Sequence, residues 1–529
     1  MSYTDTDGTE YTPFYTTSGQ AIGIYGSKNS TINNTGRILI NGADSDKRYG
    51  IYSNGGTVLN SGTIIVGAAC SGEDCFDTEL YPNAIVLNGG ILLQNGTLEV
   101  TNTDSDSPAS LNLNNFDGMV VASDTSKFVA DGAVSGTINM SSSVVGSGFA
   151  EEYRVSDMIS ATDISALNLQ SQSLLFDVKL ENGKDAVLTM KSFADVTENA
   201  SMAEFLQQNY AAQNNESLFN ILKSQQTLNT FNETVDTLSG NKVFDKFMFE
   251  DLNAWRELSF NMSQNMLQTD EKTFSIVGSS APLSLGNEKT QNSYAISGVN
   301  RGDYSYGMGM ALADMHSGKS AGNNAHHDRQ FQLAMPLGYR THGFKLLTTP
   351  RFGFAYGTYE REGYNGTNYD GTVEKRLFGI NNEVRYPLKM ASWTVAPTLE
   401  FNLLGYHLKG HETAKQYSIN IKSQDNYSME TGMGIYANRE LVPSKDAKLK
   451  LSGGVGVYHE FANPYDIELQ MNGMSGSWTL HDENRSRERA VVRTGLDYDY
   501  QDFSLYGHIS SYIDNQYRTN VDLGIKYKF

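Results

Sequence analysis

The chain has 529 residues, enough for two or three domains, and a formal net charge of -20 at neutral pH. That charge argues against a general nucleic-acid binder, which needs a basic patch to neutralise phosphates, so nucleic acid is not an expected partner. Plentiful Gly, Asn, Ser, Thr and Tyr with only 10 Pro point to β-structure, and the absence of a run of about twenty apolar residues excludes a transmembrane helix but not a barrel.

The first residues, MSYTDTDGTEYTPFY, contain neither a basic n-region nor an apolar h-region. The expectation is either a cytoplasmic chain or a fragment of a longer precursor. From about residue 18 to 195 a loose repeat follows: GIYGSKNSTINNTGRILINGADSDKRY, then GIYSNGGTVLNSGTIIVGAACSGEDCF, then AIVLNGGILLQNGTLEVTNTDSDS. Each unit passes from a short apolar strand through an Asn/Gly corner to a second strand, an NTG, NSG or QNG corner, and a third strand. Such units cannot bury an inward face alone and stack as a β-solenoid. An ordinary β-sandwich is the alternative. The solenoid is expected over 1–150 and a closing cap over 151–198, where the repeat fades into plain alternation. Cys70 and Cys75 form the only cysteine pair, in the stretch ACSGEDC. A small disulfide loop is preferred there to a zinc site, which would want two more soft ligands close by.

Glycine nearly vanishes between residues 199 and 271, which reads as a helical linker. Ser201 and Glu204 have capping-box spacing, and Leu218, Ile221, Leu222, Leu228 and Phe231 recur near the helical period. A second helix is expected over about 243–267. Its bulky residues occupy several faces, the mark of a helix enclosed by protein.

The remaining chain, 272–529, reads as twelve strands of membrane-crossing length, at about 272–280, 292–301, 304–315, 329–339, 344–359, 373–387, 392–407, 426–441, 447–461, 487–500, 503–513 and 518–529. Short connections such as GD, RTHG, KMA, VPSKD and QD alternate with mostly long polar ones, the rule of outer-membrane barrels. Aromatics gather at strand ends (Tyr339, Tyr386, Trp393, Tyr498, Tyr500, Tyr527, Phe529), where headgroup girdles sit. A barrel of this size leaves a lumen that inward side chains alone do not fill. The helix is expected to fill it, with Asp245, Lys246, Glu250, Asp251, Arg256 and Glu257 facing the inward wall residues Arg351, Glu383, Arg385, Glu400, Glu430 and Arg493. Solvated lumen charges without specific pairing are the alternative.

Catalytic constellations are not evident. HSGKS resembles the end of a P-loop but lacks its leading glycine and a following helix. His326, His327 and Asp328 suggest a metal, yet no spaced third ligand accompanies them, so a solvated loop is preferred and no metal is expected. RGDY at 301–304 falls on a short turn. Self-cleavage would need an activated Asn, for which Asn214, Asn215, Asn253 and Asn261 are candidates by composition alone.

The order of a solenoid, a helical segment with TLSGNKVFDKF, a twelve-strand amphipathic barrel and a final GIKYKF resembles a classical monomeric type V autotransporter. The resemblance implies an all-β chain: an N-terminal right-handed parallel β-helix as passenger, a helical linker, and an outer-membrane translocator barrel with a helix in its lumen. It further implies that the passenger is carried to the cell surface, and that the barrel-assembly machinery reads a final strand carrying Leu523, Ile525, Tyr527 and Phe529. Outer-membrane lipid, that machinery and a surface receptor are the implied partners of a monomer. Without catalytic motifs an adhesin is expected, with neither enzymatic activity nor a cofactor. A diffusion channel with a periplasmic N-terminal domain, and the translocator of a hydrolase whose catalytic module is missing, are the alternatives.

Overall fold

The computed structural model describes residues 2–4, 10–11, 20–26, 30–40, 47–68, 81–87, 89–102, 108–113, 118–244, 247–267, 272–284, 288–317, 325–442, 444, 446–481, 486–514 and 517–528. Cys70, Cys75, Asp245, Lys246 and Phe529 lie outside them. The chain divides into two compact units, Met1–Glu233 and Thr234–Phe529.

In the first unit, parallel strands repeat in register. One sheet stacks Arg37–Ile40, Thr63–Ala68, Thr97–Asn102, Lys127–Ala130 and Ile159–Ser160, which aligns the buried Ile38, Ile64, Leu98, Phe128 and Ile159. A second stacks Thr31–Asn34, Thr57–Asn60, Ile91–Gln94 and Met119–Ala122, aligning Ile32, Val58, Leu92 and Val120 in the same way. A third holds Gln20–Gly26, Lys47–Ser53 and Tyr81–Leu87. Parallel neighbours are what a solenoid requires, whereas the sheets of a sandwich are antiparallel.

The corner residues explain the recurring NTG, NSG and QNG. Asn34 Nδ2 donates to Asn60 Oδ1 at 2.7 Å, Asn60 Nδ2 to Gln94 Oε1 at 3.1 Å, and Gln94 Nε2 to the Gly96 carbonyl at 2.7 Å, all three side chains being buried. A ladder of amides thus satisfies polar groups that a dry coil would otherwise leave costly. Glycine follows because the coils touch through backbone there: a Cβ on Gly62 would lie 2.0 Å from the Gly36 carbonyl oxygen.

The expected cap is an antiparallel meander of Glu152–Val155, Asp185–Met190 and Phe176–Glu181. Helices Ala200–Ala211 and Glu216–Lys223 continue this unit. Asn199, rather than Ser201, caps the first by accepting from Met202 N at 3.0 Å, and Glu204 instead accepts from Gln208. Asn215, at φ 60°, caps the second, and the helical period expected through 218–231 is interrupted after Lys223, a further helix running Leu228–Ser239. Phe149, Phe193 and Phe219 each meet Tyr210 edge to face, as do Phe149 and Phe219. Lys223 reaches into this cluster, donating to the carbonyls of Gly146 (2.6 Å) and Gly148 (2.8 Å), and burial pulls its ammonium below the ordinary value.

The second unit is a closed barrel of twelve antiparallel strands: β1 Thr273–Ser284, β2 Glu288–Arg301, β3 Tyr304–Ser317, β4 Ala325–Ala334 resuming as Leu337–Thr341, β5 Phe344–Glu362, β6 Asn368–Arg385 resuming as Leu388–Met390, β7 Trp393–Glu412, β8 Ile419–Leu441, β9 Ala447–Glu460, β10 Glu488–Tyr500, β11 Phe503–Ile513 and β12 Tyr517–Lys528. Both interruptions fall at a proline, Pro336 and Pro387, which donates no ladder hydrogen bond. Pairing of β1 with β12, Ile276 opposite Ile525, closes the ring. The strands run further toward the long connections than alternation alone predicts. Residues 461–487, expected as a plain polar loop, instead contain a hairpin of Ile467–Met471 and Trp478–Leu480 that pairs with β8 and buries Leu469, Met471 and Trp478.

Burial is inverted relative to a water-soluble fold. Phe378 (71% exposed), Leu523 (66%) and Ile525 (55%) point outward, while Arg351, Gln332, Glu430 and Arg493 are buried inside. This is the pattern of a wall wetted by lipid. Outward-facing rings pair at the short-turn end, Tyr304 with Tyr339, Phe344 with Tyr386 and Phe503 with Tyr527, as a headgroup girdle requires. No helix among the described residues is long and apolar enough to cross a membrane.

Replacing Asn60 by Leu removes the middle rung of the amide ladder and leaves Asn34 and Gln94 without a partner for it. The expected cost is about 2–4 kcal/mol to the first unit. It would be read as earlier thermal loss of the β-sheet circular dichroism of the N-terminal unit, with the heat-modifiable gel migration of the barrel unchanged.

Candidate functional site

Inside the barrel runs the helix Phe247–Leu267, and the described residues just before it, Asn241–Phe244, are helical as well, over the stretch where a helix is expected. Ala254, Leu258 and Met262 recur every fourth residue and so share one face. Leu258 and Met262 pack on Val277 of β1, Tyr294 and Ile296 of β2, Ala311 of β3, Ala334 of β4 and Tyr506 of β11, and Ala254 on Ala313 and Met315 of β3. Small wall residues make the seat: a Cβ on Gly309 would lie 2.7 Å from Met262 Cε, and one on Gly379 3.0 Å from the Trp255 ring.

The opposite face meets a charged arc. Arg256 Nη2 lies 2.9 Å from Glu430 of β8 and 3.7 Å from Glu460 of β9. Glu430 also takes two hydrogen bonds from Arg489 Nη2 of β10, each 2.8 Å, so one carboxylate serves two guanidinium groups. Glu257 accepts a hydrogen bond from the Tyr512 hydroxyl. Arg351 donates to Ser259 and to Asn381 (2.9 Å), and its guanidinium stacks 3.9 Å from the Trp255 ring centre. Arg385 donates to Ser263 Oγ at 2.6 Å and also binds Glu383. Arg493 stacks 3.9 Å from the Phe260 ring, and Glu400 accepts from the Tyr458 hydroxyl at 2.9 Å.

All six wall residues named from alternation therefore face the lumen, but the helix meets them mostly through uncharged or aromatic groups. Among the described side chains of the helix, Arg256 forms the one ion pair of the expected kind, with Glu430. Glu250 and Asp251 lie on the helix, their side chains outside the described residues. Trp255, Ser259, Phe260, Ser263, Arg489, Glu460, Tyr458 and Tyr512 complete the site without having been singled out. For the wall members the missing signal was strand parity: Tyr458 and Glu460 share a face, as do Arg489 and Arg493. Of the final-strand residues, Leu523, Ile525 and Tyr527 all project outward. Asn214 and Asn215 lie at the start of the helix Glu216–Lys223, while Asn253 and Asn261 are buried in the lumen helix, Asn261 Nδ2 donating to its own helix at the Glu257 carbonyl.

The direction of threading follows from contacts along β5, whose Phe344 end adjoins a short turn and whose Glu362 end adjoins a longer connection. Arg361 Nη1 donates to the Thr237 carbonyl at 2.9 Å, near the C-terminus of the helix Leu228–Ser239, where a cation favours the helix dipole. Two hydrogen bonds to Glu412, 2.7 and 2.8 Å, and stacking on Tyr369 hold that arginine. Gly240, at φ 76°, then turns the chain downward. Phe244 meets Tyr359, Ser259 meets Arg351, and Ser263 meets Arg385, which stands opposite Lys345. The chain thus passes from the long-connection mouth to the short-turn mouth as its numbering rises.

A closed twelve-stranded barrel with an apolar exterior, an aromatic girdle and a helix through a charged lumen defines a plugged outer-membrane barrel. Residues 293–510 match the family model described as the autotransporter beta-domain. The chain carries the translocator β-domain of an autotransporter and is an outer-membrane protein. Similar solved structures include the translocator domain of autotransporter NalP from Neisseria meningitidis (13% identity, 54% of this chain and 98% of that one, TM-score 0.44). Others are the beta domain of the Bordetella autotransporter BrkA (13%, 49% and 100%, 0.37) and the transport unit of AIDA-I from Escherichia coli (15%, 54% and 99%, 0.33). No curated protein matches the sequence. One chain closes the ring by itself, in keeping with a monomer.

Glu430→Ala removes the carboxylate that Arg489 is bound to and leaves Arg256 with only the longer contact to Glu460, at an expected cost of about 3–5 kcal/mol. The temperature at which the folded gel band converts to the unfolded one should fall. Single-channel conductance in planar bilayers should rise, since the helix loses its ionic clasp.

Proposed function

We propose that this protein exports its own N-terminal unit through the outer membrane and holds it at the cell surface, with the lumen helix left in place as plug and tether. The observation that carries this reading is the direction of threading. Thr237 is bound at the long-connection mouth, which outer-membrane barrels turn to the outside, so everything N-terminal to it would emerge outside the cell. A diffusion channel with a periplasmic N-terminal domain would need the opposite direction.

The finer reading is adhesion. Stacked parallel sheets present long regular faces suited to binding, and no catalytic constellation is visible in the sequence, so the protein is proposed to act as an adhesin and not as an enzyme. On the same reading the outward row Leu523, Ile525 and Tyr527, with Phe529, is what the assembly machinery recognises during insertion. A hydrolase module located elsewhere in a longer precursor would be a different use of the same translocator.

Intact cells expressing the chain behind a signal peptide provide the test. External protease should remove the N-terminal unit and leave a heat-modifiable fragment beginning near Thr234 and ending at Phe529. Protection of the N-terminal unit until the outer membrane is permeabilised would sink the export reading.

A further inference from the structure

Strand alternation separates the histidines that stand together in the sequence. His326 and Asp328 of β4 point into the barrel, where Asp328 pairs with Lys375 at 2.5 Å, both side chains buried. His327 points outward instead, and its neighbour across the ladder is His316 of β3. Directly opposed residues bring their Cβ atoms within about 5.5 Å. Here the two imidazoles stack with centroids 3.9 Å apart and planes 16° apart. Asp314, two residues before His316 and so on the same face, completes the group. Its Oδ1 lies 2.5 Å from His327 Nε2 and 3.3 Å from His316 Nε2, and the three ligand atoms are all within 4.8 Å of one another.

We propose that Asp314, His316 and His327 form a binding site for a divalent first-row transition cation, Zn²⁺ or Cu²⁺, on the outer wall of the barrel at the long-connection ends of β3 and β4. Three ligands at about 2.0–2.2 Å from a tetrahedral metal stand about 3.3–3.6 Å apart. The observed separations therefore need only side-chain rotations to reach that geometry. Two imidazoles and one carboxylate select nitrogen-loving metals over Ca²⁺ and Mg²⁺, which take oxygen ligands. Three protein ligands leave the fourth position to water, so the site is open in the manner of a surface chelate.

Location supports accessibility. Leu312, two residues nearer the short turns on the same face, is 61% exposed and belongs to the apolar band. The side chains of Asp314, His316 and His327 are 41%, 51% and 32% exposed, at the place where that band gives way to polar groups. Arg329 Nε approaches Asp314 Oδ1 at 3.9 Å with its side chain 72% exposed, a weak contact that a bound cation would displace. Among the described residues this is the one place where three such ligand atoms converge. A metal here would staple β3 to β4 at the base of their connection.

The test uses the full chain, folded in detergent micelles and without a polyhistidine tag, titrated with ZnCl₂ by isothermal calorimetry. One saturable site per chain is expected, weakened at least tenfold in His316→Ala and in His327→Ala and unchanged in His459→Ala. Heat-modifiable migration verifies that each variant is folded. Independently of any variant, one equivalent of Cu²⁺ should give an electron spin echo modulation from two imidazole nitrogens. Absence of a one-equivalent site, an H316A/H327A double variant that binds like the parent, or a Cu²⁺ spectrum without imidazole coupling would overturn the proposal.

Discussion

A strand crossing lipid has no water to satisfy its backbone N–H and C=O groups, and the ladder between β1 and β12 is the contact that leaves no strand edge open. Closure dictates the rest of the second unit. Twelve strands make a ring too wide to be filled by their own inward side chains, so something must occupy the lumen. The chain uses the segment immediately preceding β1. Because that segment is covalently joined to the first strand at the short-turn mouth, filling the lumen with it also settles where its other end emerges.

Filling a polar lumen poses a different problem from filling an apolar core. The inward face is buried yet rich in charge, and a buried charge is tolerated only when it is paired. Glu430 between Arg256 and Arg489 meets that condition with one carboxylate, and Arg361 meets it with Glu412 and two carbonyls. On the other side of the helix, Leu258 and Met262 pack against small and aromatic wall residues by ordinary close contact. The helix is therefore held laterally by packing and oriented axially by hydrogen bonds.

The N-terminal unit obeys a different economy. Its coils are alike, so the polar groups of one corner meet those of the next, and the buried amides of Asn34, Asn60 and Gln94 hydrogen-bond in a ladder. Aliphatic residues stack on aliphatic residues for the same reason of register. Stability accrues coil by coil, which is why a cap is needed where the repeat ends.

Strand number, the alternation of short and long connections, and the presence of an enclosed helix were all legible in the sequence, since each depends on local periodicity and turn chemistry. Parity also placed Arg351, Glu383, Arg385, Glu400, Glu430 and Arg493 on the inner wall. What parity does not supply is partnership: Arg351 meets Ser259 and Trp255, and Arg385 meets Ser263, because the axial height and rotation of the helix are set by the whole ring at once. The hairpin within 461–487 escaped because its pairing partner, Ile419–Ile421, lies far away in the chain. The histidines make the same point in reverse. Adjacent letters His326 and His327 face opposite sides of the wall, while His316 and His327 meet across the ladder. A sequence determines which way each residue of a strand points; only the closed tertiary structure decides what stands opposite it.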